Sequence, residues 1–270
     1  MKISALTFCV FFVLSFFPAL AQEKPVFKVL TYNIYHGENP EIADSSNLAQ
    51  LAKLIIQLQP EVIALQEVDS MTTRSERVNG EKVNIVEYLS NATGYQGYFA
   101  KAMDYAEGGY GEAVLVKKGS EYYTQNLPTP AGGEPRAMAW VKLELKNQEE
   151  LYFGATHLCH ELAENRIAQI AAITSYAETL KGAVIWAGDL NFAPDSKEYK
   201  SISDKWKDAG LLKGDNSPTY DSPNGKRIDY VWFQSGQFEL VDYEVLKAPF
   251  SDHYPVLVTL RYIHPSKIKQ

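Results

Sequence analysis

Short apolar runs alternate along the chain with segments in which apolar residues recur at the spacing of one helix face. Segment 48–56 repeats leucine, alanine and isoleucine at this spacing, and Pro60 follows the end of that helix. The continuous apolar run 62–65 is typical of a strand buried on both of its faces. We therefore expect buried strands that are covered by helices.

The same pattern extends over the rest of the chain, without a Pro-rich or Ser-rich linker between its halves. Further helices are predicted at 83–92 and 161–180. Further strands are predicted at 27–34, 97–103, 113–117, 139–145, 151–157, 183–187, 227–233, 238–246 and 256–262. This order favours one α/β domain in which two sheets pack face to face.

The first residues have the pattern of a secretory signal. Lys2 is the only charge in residues 1–21, an apolar stretch follows, and Ala19-Leu20-Ala21 fits a cleavage site. Cleavage of these 21 residues from a chain of 270 would leave 22–270, a mature domain of 249 residues, and loss of Lys2 would take the formal charge from -7 to -8. We expect a secreted or periplasmic protein without a transmembrane segment; the alternative is an uncleaved anchor.

Composition narrows the class of protein. The chain is 46% apolar, with 17 Gly, 13 Pro and 2 Cys, which excludes disordered, collagen-like and disulfide-rich proteins. A net charge of -7 argues against binding nucleic acid through bulk positive charge. An enzyme that reaches a phosphate through a metal ion stays compatible with this charge, because the ion supplies the positive charge locally.

Polar side chains suited to phosphate or metal chemistry stand at the ends of several predicted buried strands. They are Asn33, Gln66-Glu67, Thr156-His157, Gly188-Asp189-Leu190-Asn191, Asp229 and Ser251-Asp252-His253. Each alone is an ordinary turn or cap residue. Their joint occurrence predicts a single cleft, because ligand sites in α/β folds favour strand ends.

These segments resemble the signature blocks of the endonuclease/exonuclease/phosphatase superfamily. The blocks are Leu30-Thr31-Tyr32-Asn33, Leu65-Gln66-Glu67-Val68, Thr156-His157-Leu158, Gly188-Asp189-Leu190-Asn191, Arg227-Ile228-Asp229-Tyr230 and Ser251-Asp252-His253-Tyr254-Pro255-Val256. The resemblance implies a four-layer α/β sandwich, with two mainly antiparallel sheets face to face and helices outside. It also implies metal-assisted attack of water on a phosphate ester.

The resemblance assigns a role to each block. Glu67, with Asn33 and Asp252, would hold the metal; oxygen ligands suit Mg²⁺, with Mn²⁺ or Ca²⁺ as substitutes, and the histidines and cysteines lack the spacing of a zinc site. The catalytic residues it implies are Asp189 for the water, Asn191 for the phosphate, the Asp229–His253 pair, and His157, which matches a second histidine of the deoxyribonuclease and sphingomyelinase branches.

Three more residues complete the candidate site. Glu112 stands where the deoxyribonuclease branch has an acidic partner for the second histidine; the alternative is an exposed edge-strand carboxylate. Arg136, in a Glu-Pro-Arg-Ala block, can grip a phosphate or form a structural ion pair. Tyr110 can stack on a base or a sugar.

The sequence thus predicts a secreted, divalent-metal-dependent phosphoesterase that acts on a diester or a monoester. The substrate can be a small molecule, a lipid head group or nucleic acid, and we expect a monomer that forms no stable complex with nucleic acid. The alternatives are a non-specific secreted nuclease and a non-catalytic binding module on the same fold.

Overall fold

The computed structural model describes residues 26–145 and 149–263; the predicted signal, residues 1–21, lies outside the described residues. Within them the chain forms two sheets of six strands each. The strands are β1 (Val26–Asn33), β2 (Val62–Ser70), β3 (Gln96–Tyr105), β4 (Gly108–Val116), β5 (Glu121–Leu127), β6 (Arg136–Glu144), β7 (Glu150–His157), β8 (Ala183–Asp189), β9 (Trp206–Asp208), β10 (Asp229–Gln234), β11 (Phe238–Val245) and β12 (Val256–Tyr262).

The two sheets have related layouts. The first has the order β11-β12-β1-β2-β4-β3 and the second β5-β6-β7-β8-β10-β9. The central pairs β1–β2 and β7–β8 are parallel, whereas the other pairs are antiparallel. Each sheet therefore directs the carboxyl ends of its two central strands toward one edge.

Helices cover the outer faces of the sheets. They are α1 (Leu48–Leu58), α2 (Thr73–Asn79), α3 (Ile85–Thr93), α4 (Ala163–Ala177), α5 (Lys197–Ser201) and α6 (Ala209–Lys213), with a short 3-10 turn at Tyr35–Gly37. One apolar cluster fills the space between the sheets, a second joins α1 and α3 to the first sheet, and a third joins α4 to the second. The predicted four-layer sandwich, with two mainly antiparallel sheets face to face, is confirmed.

The helices of the described residues are all too short or too polar to cross a membrane.

The end of β2 differs from the sequence-based expectation in a way that affects the site. The run 62–65 was expected to end at Gln66-Glu67, but β2 continues to Ser70. Its pairing with β4 shifts between Leu65 and Val68, so Gln66 and Glu67 lie in a β-bulge rather than after the strand. A bulge bends a strand and redirects a side chain, which explains how a polar residue is accommodated in the middle of a buried strand.

Candidate active site

Three polar residues lie side by side across the second sheet. His157, the last residue of β7, is paired with Asp189 at the end of β8, and Asp189 is paired on its other side with Asp229 at the start of β10. Paired residues on neighbouring strands project from the same face, so the three side chains extend together. All three are almost completely buried.

Asn33 connects this row to the first sheet. Its side-chain amide nitrogen donates to Asp189 Oδ2 and to Glu67 Oε1, both at 3.1 Å. Its oxygen accepts from the backbone N–H of Tyr35 at 3.1 Å. The amide therefore presents its donor to the two acids, and this orientation differs from the expectation that Asn33 offers an oxygen to a metal. In this structure Asn33 positions both carboxylates.

Glu67 is aimed into the cleft by the bulge of β2. Its backbone has a φ of 58°, in the left-handed region that residues other than glycine rarely adopt. Burial opposes ionisation, but the contact with His36 and the hydrogen bond from the amide of Asn33 hold the pKa of Glu67 well below its usual range. The residue is therefore an ionised carboxylate, which is the form that binds a cation.

His253 and Asp229 form a buried ion pair. His253 Nδ1 lies 2.9 Å from Asp229 Oδ2, and its Nε2 lies 3.6 Å from Asp189 Oδ2. Burial disfavours the charged ring, but the Asp229 and Asp189 carboxylates outweigh it and raise the pKa of His253 to about 10. At neutral pH the ring is an imidazolium whose Nε2–H faces the cleft.

Asp189 occupies the centre of the site. Besides the amide of Asn33, it accepts the backbone N–H of Asn191 at 3.0 Å. Nε2 of His157 lies 3.4 Å from its Oδ2. Burial raises the pKa of Asp189 above its ordinary range, with the charge of Asp229 adding to the effect. A carboxylate with a raised pKa is a stronger base than an exposed one, which suits it to accept a proton from water.

His157 lies between two side chains that donate hydrogen bonds. Nη1 of Arg136, which can only donate, lies 3.3 Å from Nδ1 of the ring. Burial and the Arg136 charge hold the pKa of His157 well below its usual range, so the ring is neutral. The side-chain nitrogen of Asn191, which also donates to the carbonyl oxygen of Leu158, lies 2.9 Å from Nε2. A neutral ring that faces donors on both sides can accept a hydrogen bond from one of them.

Glu112 does not reach His157 in the way expected from the deoxyribonuclease branch. It is fully buried in β4, between β2 and β3, and neither of its carboxylate oxygens has a hydrogen-bond partner. Arg136 occupies the Nδ1 side of the ring instead. The alternative of an exposed edge-strand residue is equally wrong. Arg136 forms the expected ion pair, with Glu134 at 3.0 Å, and it also lines the cleft.

The buried Glu112 gives a prediction for stability. Burial raises the pKa of its carboxyl well above the ordinary value, so the folded chain favours the neutral acid. Between the unfolded pKa, about 4.3, and the raised folded pKa, increasing pH therefore destabilises the fold. Glu112→Gln should raise the free energy of unfolding at pH 7.5 by about 1–3 kcal/mol. Each kcal/mol should raise Tm by about 2–4 °C.

The gain should shrink as the pH falls and vanish near pH 4, where the native side chain is neutral in both states. Glu144→Gln, at an exposed position at the end of β6, is the matched control and should change stability by less than about 0.5 kcal/mol at either pH. A pH-independent effect of Glu112→Gln, measured by thermal unfolding, would contradict the assignment of a neutral buried acid.

A cavity of about 390 Å³ brings most of the predicted site residues together. It is lined by Glu67, Tyr110, Glu134, Arg136, His157, His160, Asp189, Asn191, Tyr220, Ile228, Asp252 and His253. Asn33 and Asp229 lie behind this wall, bonded to Asp189 and His253. The cavity therefore contains an acid, hydrogen-bond donors and an imidazolium within one space.

Among the residues near this site that sequence analysis did not single out are Tyr220 and His36. Tyr220 stacks obliquely on His253, with ring centroids 4.9 Å apart. His36 lies in the 3-10 turn after β1, with its Nδ1 3.6 Å from Glu67 Oε2. A histidine three positions after Asn33 was an available signal, whereas nothing in the polar segment around Tyr220 indicates that it returns to the cleft.

The donor set fits a divalent cation. Glu67 and Asp252 line the same cavity, and burial, together with the charge of Glu67, raises the pKa of Asp252. The two carboxylates repel each other, and a cation between them would relieve this repulsion. Asp189, Asp229 and His253 also place ligand atoms within 4.8 Å of one another. In that group, however, the imidazolium of His253 already supplies positive charge.

Comparisons with known proteins agree with this fold. The profile of the Endonuclease/Exonuclease/phosphatase family matches residues 30–253. An endonuclease/exonuclease/phosphatase from Beutenbergia cavernae is 21% identical with a TM-score of 0.73, over 88% of this chain and 72% of that one. No curated protein sequence matches significantly.

Two further solved structures are similar. A mannosyl-6-phosphatase from Bacteroides thetaiotaomicron is 18% identical with a TM-score of 0.70, over 87% of this chain and 100% of that one. The human nocturnin catalytic domain, solved with a bound sulfate anion, is 21% identical with a TM-score of 0.69, over 88% and 94%. Identities this low establish a common fold.

Proposed function

We propose that this chain, which belongs to the endonuclease/exonuclease/phosphatase family, is a divalent-metal-dependent phosphoesterase. Members of the family are hydrolases that act on phosphate esters. The observation that carries the proposal is the cavity in which Asp189, His157, Asn191 and His253 face one another. It combines a base for water with donors for the oxygens of a phosphoryl group.

In this proposal each side chain acts at a stated atom. Asp189 orients a water molecule and accepts its proton on Oδ2, next to the Nδ2–H of Asn33. The amide of Asn191, beside Nε2 of His157, donates to a phosphoryl oxygen, where negative charge develops. The imidazolium of His253, held by Asp229, contacts the phosphate and assists proton transfer.

A divalent cation held by Glu67 and Asp252 would neutralise the charge of the phosphate and of the departing oxygen. The hard oxygen donors of these two carboxylates suit Mg²⁺, with Mn²⁺ or Ca²⁺ as substitutes. No covalent intermediate is needed in this proposal, because the acid in the centre of the cavity can activate water directly.

The surroundings of the cavity favour a small substrate over a nucleic acid. An adjoining cavity of about 480 Å³ shares Asp252 with it and is lined by Pro40, Glu41, Asp221, Lys247, Pro249, Ser251, Asp252 and Tyr254. Acidic walls repel a polyanionic backbone but hydrogen-bond hydroxyl groups. The structural similarity to a mannosyl-6-phosphatase is compatible with a hydroxyl-rich phosphate ester.

We also propose export of the protein as a mature domain, residues 22–270. Support comes from the charge, the apolar stretch and the Ala19-Leu20-Ala21 site of the first 21 residues.

Removal of the metal is the direct test of the proposed function. Purified protein should hydrolyse bis-p-nitrophenyl phosphate or p-nitrophenyl phosphate with Mg²⁺ or Mn²⁺. EDTA should lower the rate by at least about 100-fold, and excess Mg²⁺ should restore it, because the charge of the phosphate is then neutralised again.

A panel of candidate substrates, assayed under the same conditions, identifies the substrate class. It contains sugar phosphates, inositol phosphates, sphingomyelin, RNA and supercoiled DNA. We expect sugar or inositol phosphates to give the highest kcat/KM; preferential cleavage of DNA would favour a nuclease instead. If no ester is hydrolysed with any metal, and Glu67→Gln binds metal as well as the native chain does, the non-catalytic alternative is favoured.

A further inference from the structure

His36 has one ring nitrogen without a partner, at the edge of the proposed metal site. The side chain is 7% exposed, and its Nδ1 is buried and makes no hydrogen bond. That nitrogen lies 3.6 Å from Glu67 Oε2, the carboxylate oxygen that Asn33 does not contact. The distance is too long for a hydrogen bond, so the nitrogen faces the oxygen without bonding to it.

The other ring nitrogen is fixed by a second acid. Nε2 lies 3.1 Å from Glu38 Oε2, and Glu38 also accepts from Nη1 and Nη2 of Arg77, at 3.1 and 2.8 Å. Burial works against its ionisation, but hydrogen bonds from Arg77 and His36 hold the pKa of Glu38 below its usual range. A carboxylate only accepts, so Nε2 directs a proton toward Glu38, and Nδ1 is the ring nitrogen left to bind a cation.

Nδ1 of His36 and the facing carboxylate oxygen of Glu67 are two potential ligand atoms that lie side by side. Two ligand atoms in neighbouring positions around one divalent cation lie about 3–4 Å apart, and the separation of 3.6 Å is within this interval. Histidines that bind metals typically donate their other N–H to a carboxylate, as His36 does to Glu38. The backbone supports this placement with left-handed φ values at Tyr35 and His36.

We propose that Nδ1 of His36 is a ligand of the cation held by Glu67, so that the metal centre has a nitrogen ligand beside its carboxylates. Asn33 presents its amide N–H to the acids, and His36 takes the ligand position that its oxygen does not fill. Mg²⁺ and Ca²⁺ prefer oxygen ligands, whereas imidazole suits transition metals. The site should therefore prefer Mn²⁺ over Mg²⁺.

This inference rests on the proposed metal dependence, but it can be tested without turnover. Mn²⁺ is titrated into metal-free protein while free Mn²⁺ is followed by electron paramagnetic resonance, and electron spin echo envelope modulation then reports nitrogen bound to the ion. The native chain should show a ¹⁴N coupling. In His36→Asn the coupling should be lost, and the Mn²⁺ Kd should rise about 100-fold, against less than about 5-fold for Mg²⁺.

Asparagine is the suitable replacement because it tolerates the left-handed backbone of His36, for which φ is 43°. His36→Gly serves as the second variant for the same reason. The melting temperature of both metal-free variants shows whether the fold is intact. His253→Gln is the comparison for another histidine of the cleft and should retain the ¹⁴N coupling.

The proposal is overturned if native protein binds Mn²⁺ without a nitrogen coupling. It is also overturned if the coupling persists in folded His36→Asn and His36→Gly, or disappears only in His253→Gln. Those outcomes would mean that His36 lies next to Glu67 without binding the metal. Native protein that binds neither Mn²⁺ nor Mg²⁺ would instead refute the proposed metal-dependent function, so the two failures are distinguishable.

Discussion

Replacing His253 with glutamine should lower kcat by about 10⁴-fold at saturating metal, the upper range for loss of a positioned acid–base group. The native ring is an imidazolium at neutral pH, because Asp229 and Asp189 raise its pKa to about 10. Glutamine can donate a hydrogen bond from a similar place but carries neither a charge nor a transferable proton. The steady-state rate on a chromogenic ester measures the loss, and the metal affinity should change by less than about 5-fold.

Asp229→Asn tests whether turnover needs the positive charge of the His253 ring or only the ring itself. It keeps the imidazole but removes the carboxylate at 2.9 Å, so the pKa of His253 should fall. A rate that needs the imidazolium is present below the pKa and lost as the pH rises through it. The alkaline limb of the pH–rate profile should therefore lie near pH 10 in the native chain and move to lower pH in Asp229→Asn. Normal turnover in His253→Gln would contradict the role of the ring.

Much of the fold could be predicted from the periodicity of apolar residues. β12 has the boundaries expected from the sequence, and β1 differs by one residue at each end. These strands are central or face the core, so burial imposes a clear pattern on them. β5 was missed because Glu121–Leu127 is an edge strand whose tyrosines alternate with polar residues. At an edge, one side of the strand needs no apolar partner, and the sequence carries less information.

The chemistry of the site was easier to predict than its contacts. Residues such as His157 and Asp189 follow apolar runs, so the register of the parallel strands brings them together. The partner of His157 Nδ1 could not be predicted, because Arg136 and Glu112 come from different sheets and their rotamers decide which one reaches the ring. His36 depends on a left-handed turn, which apolar periodicity does not encode.

The orientation of the Asn33 amide is another contact that could not be predicted from the sequence. Its position at the end of β1 could be predicted, and an amide there is compatible with metal binding through oxygen. The backbone N–H of Tyr35 occupies that oxygen, and the two acids accept from the nitrogen. Reversing the amide would place its oxygen against two carboxylate oxygens, so the surroundings determine the orientation. A residue's place in a motif therefore does not by itself identify which of its atoms acts.

Asp189→Asn should lower kcat by about 10³–10⁴-fold, a loss of similar size to that expected for His253→Gln. The reason is that asparagine cannot accept a proton from water. The replacement is nearly isosteric, and its oxygen can still accept the backbone N–H of Asn191. Burial raises the pKa of Asp189, so ionisation of the native side chain is already disfavoured in the fold. Its new amide N–H would face the donors of Asn33 and His253, so the free energy of unfolding at neutral pH should fall by about 1–3 kcal/mol in a protein that stays folded.

Loss of activity in protein that remains folded is what identifies Asp189 as the base. Asp104→Asn, which makes the same change at an exposed ion pair with Lys101, is the control and should leave turnover within about 2-fold of the native rate. If Asp189→Asn loses stability in proportion to activity, the carboxylate is structural. If it retains native turnover in folded protein, water must be activated by another group, and His157, with its Nε2 3.4 Å from Asp189, becomes the base to test next.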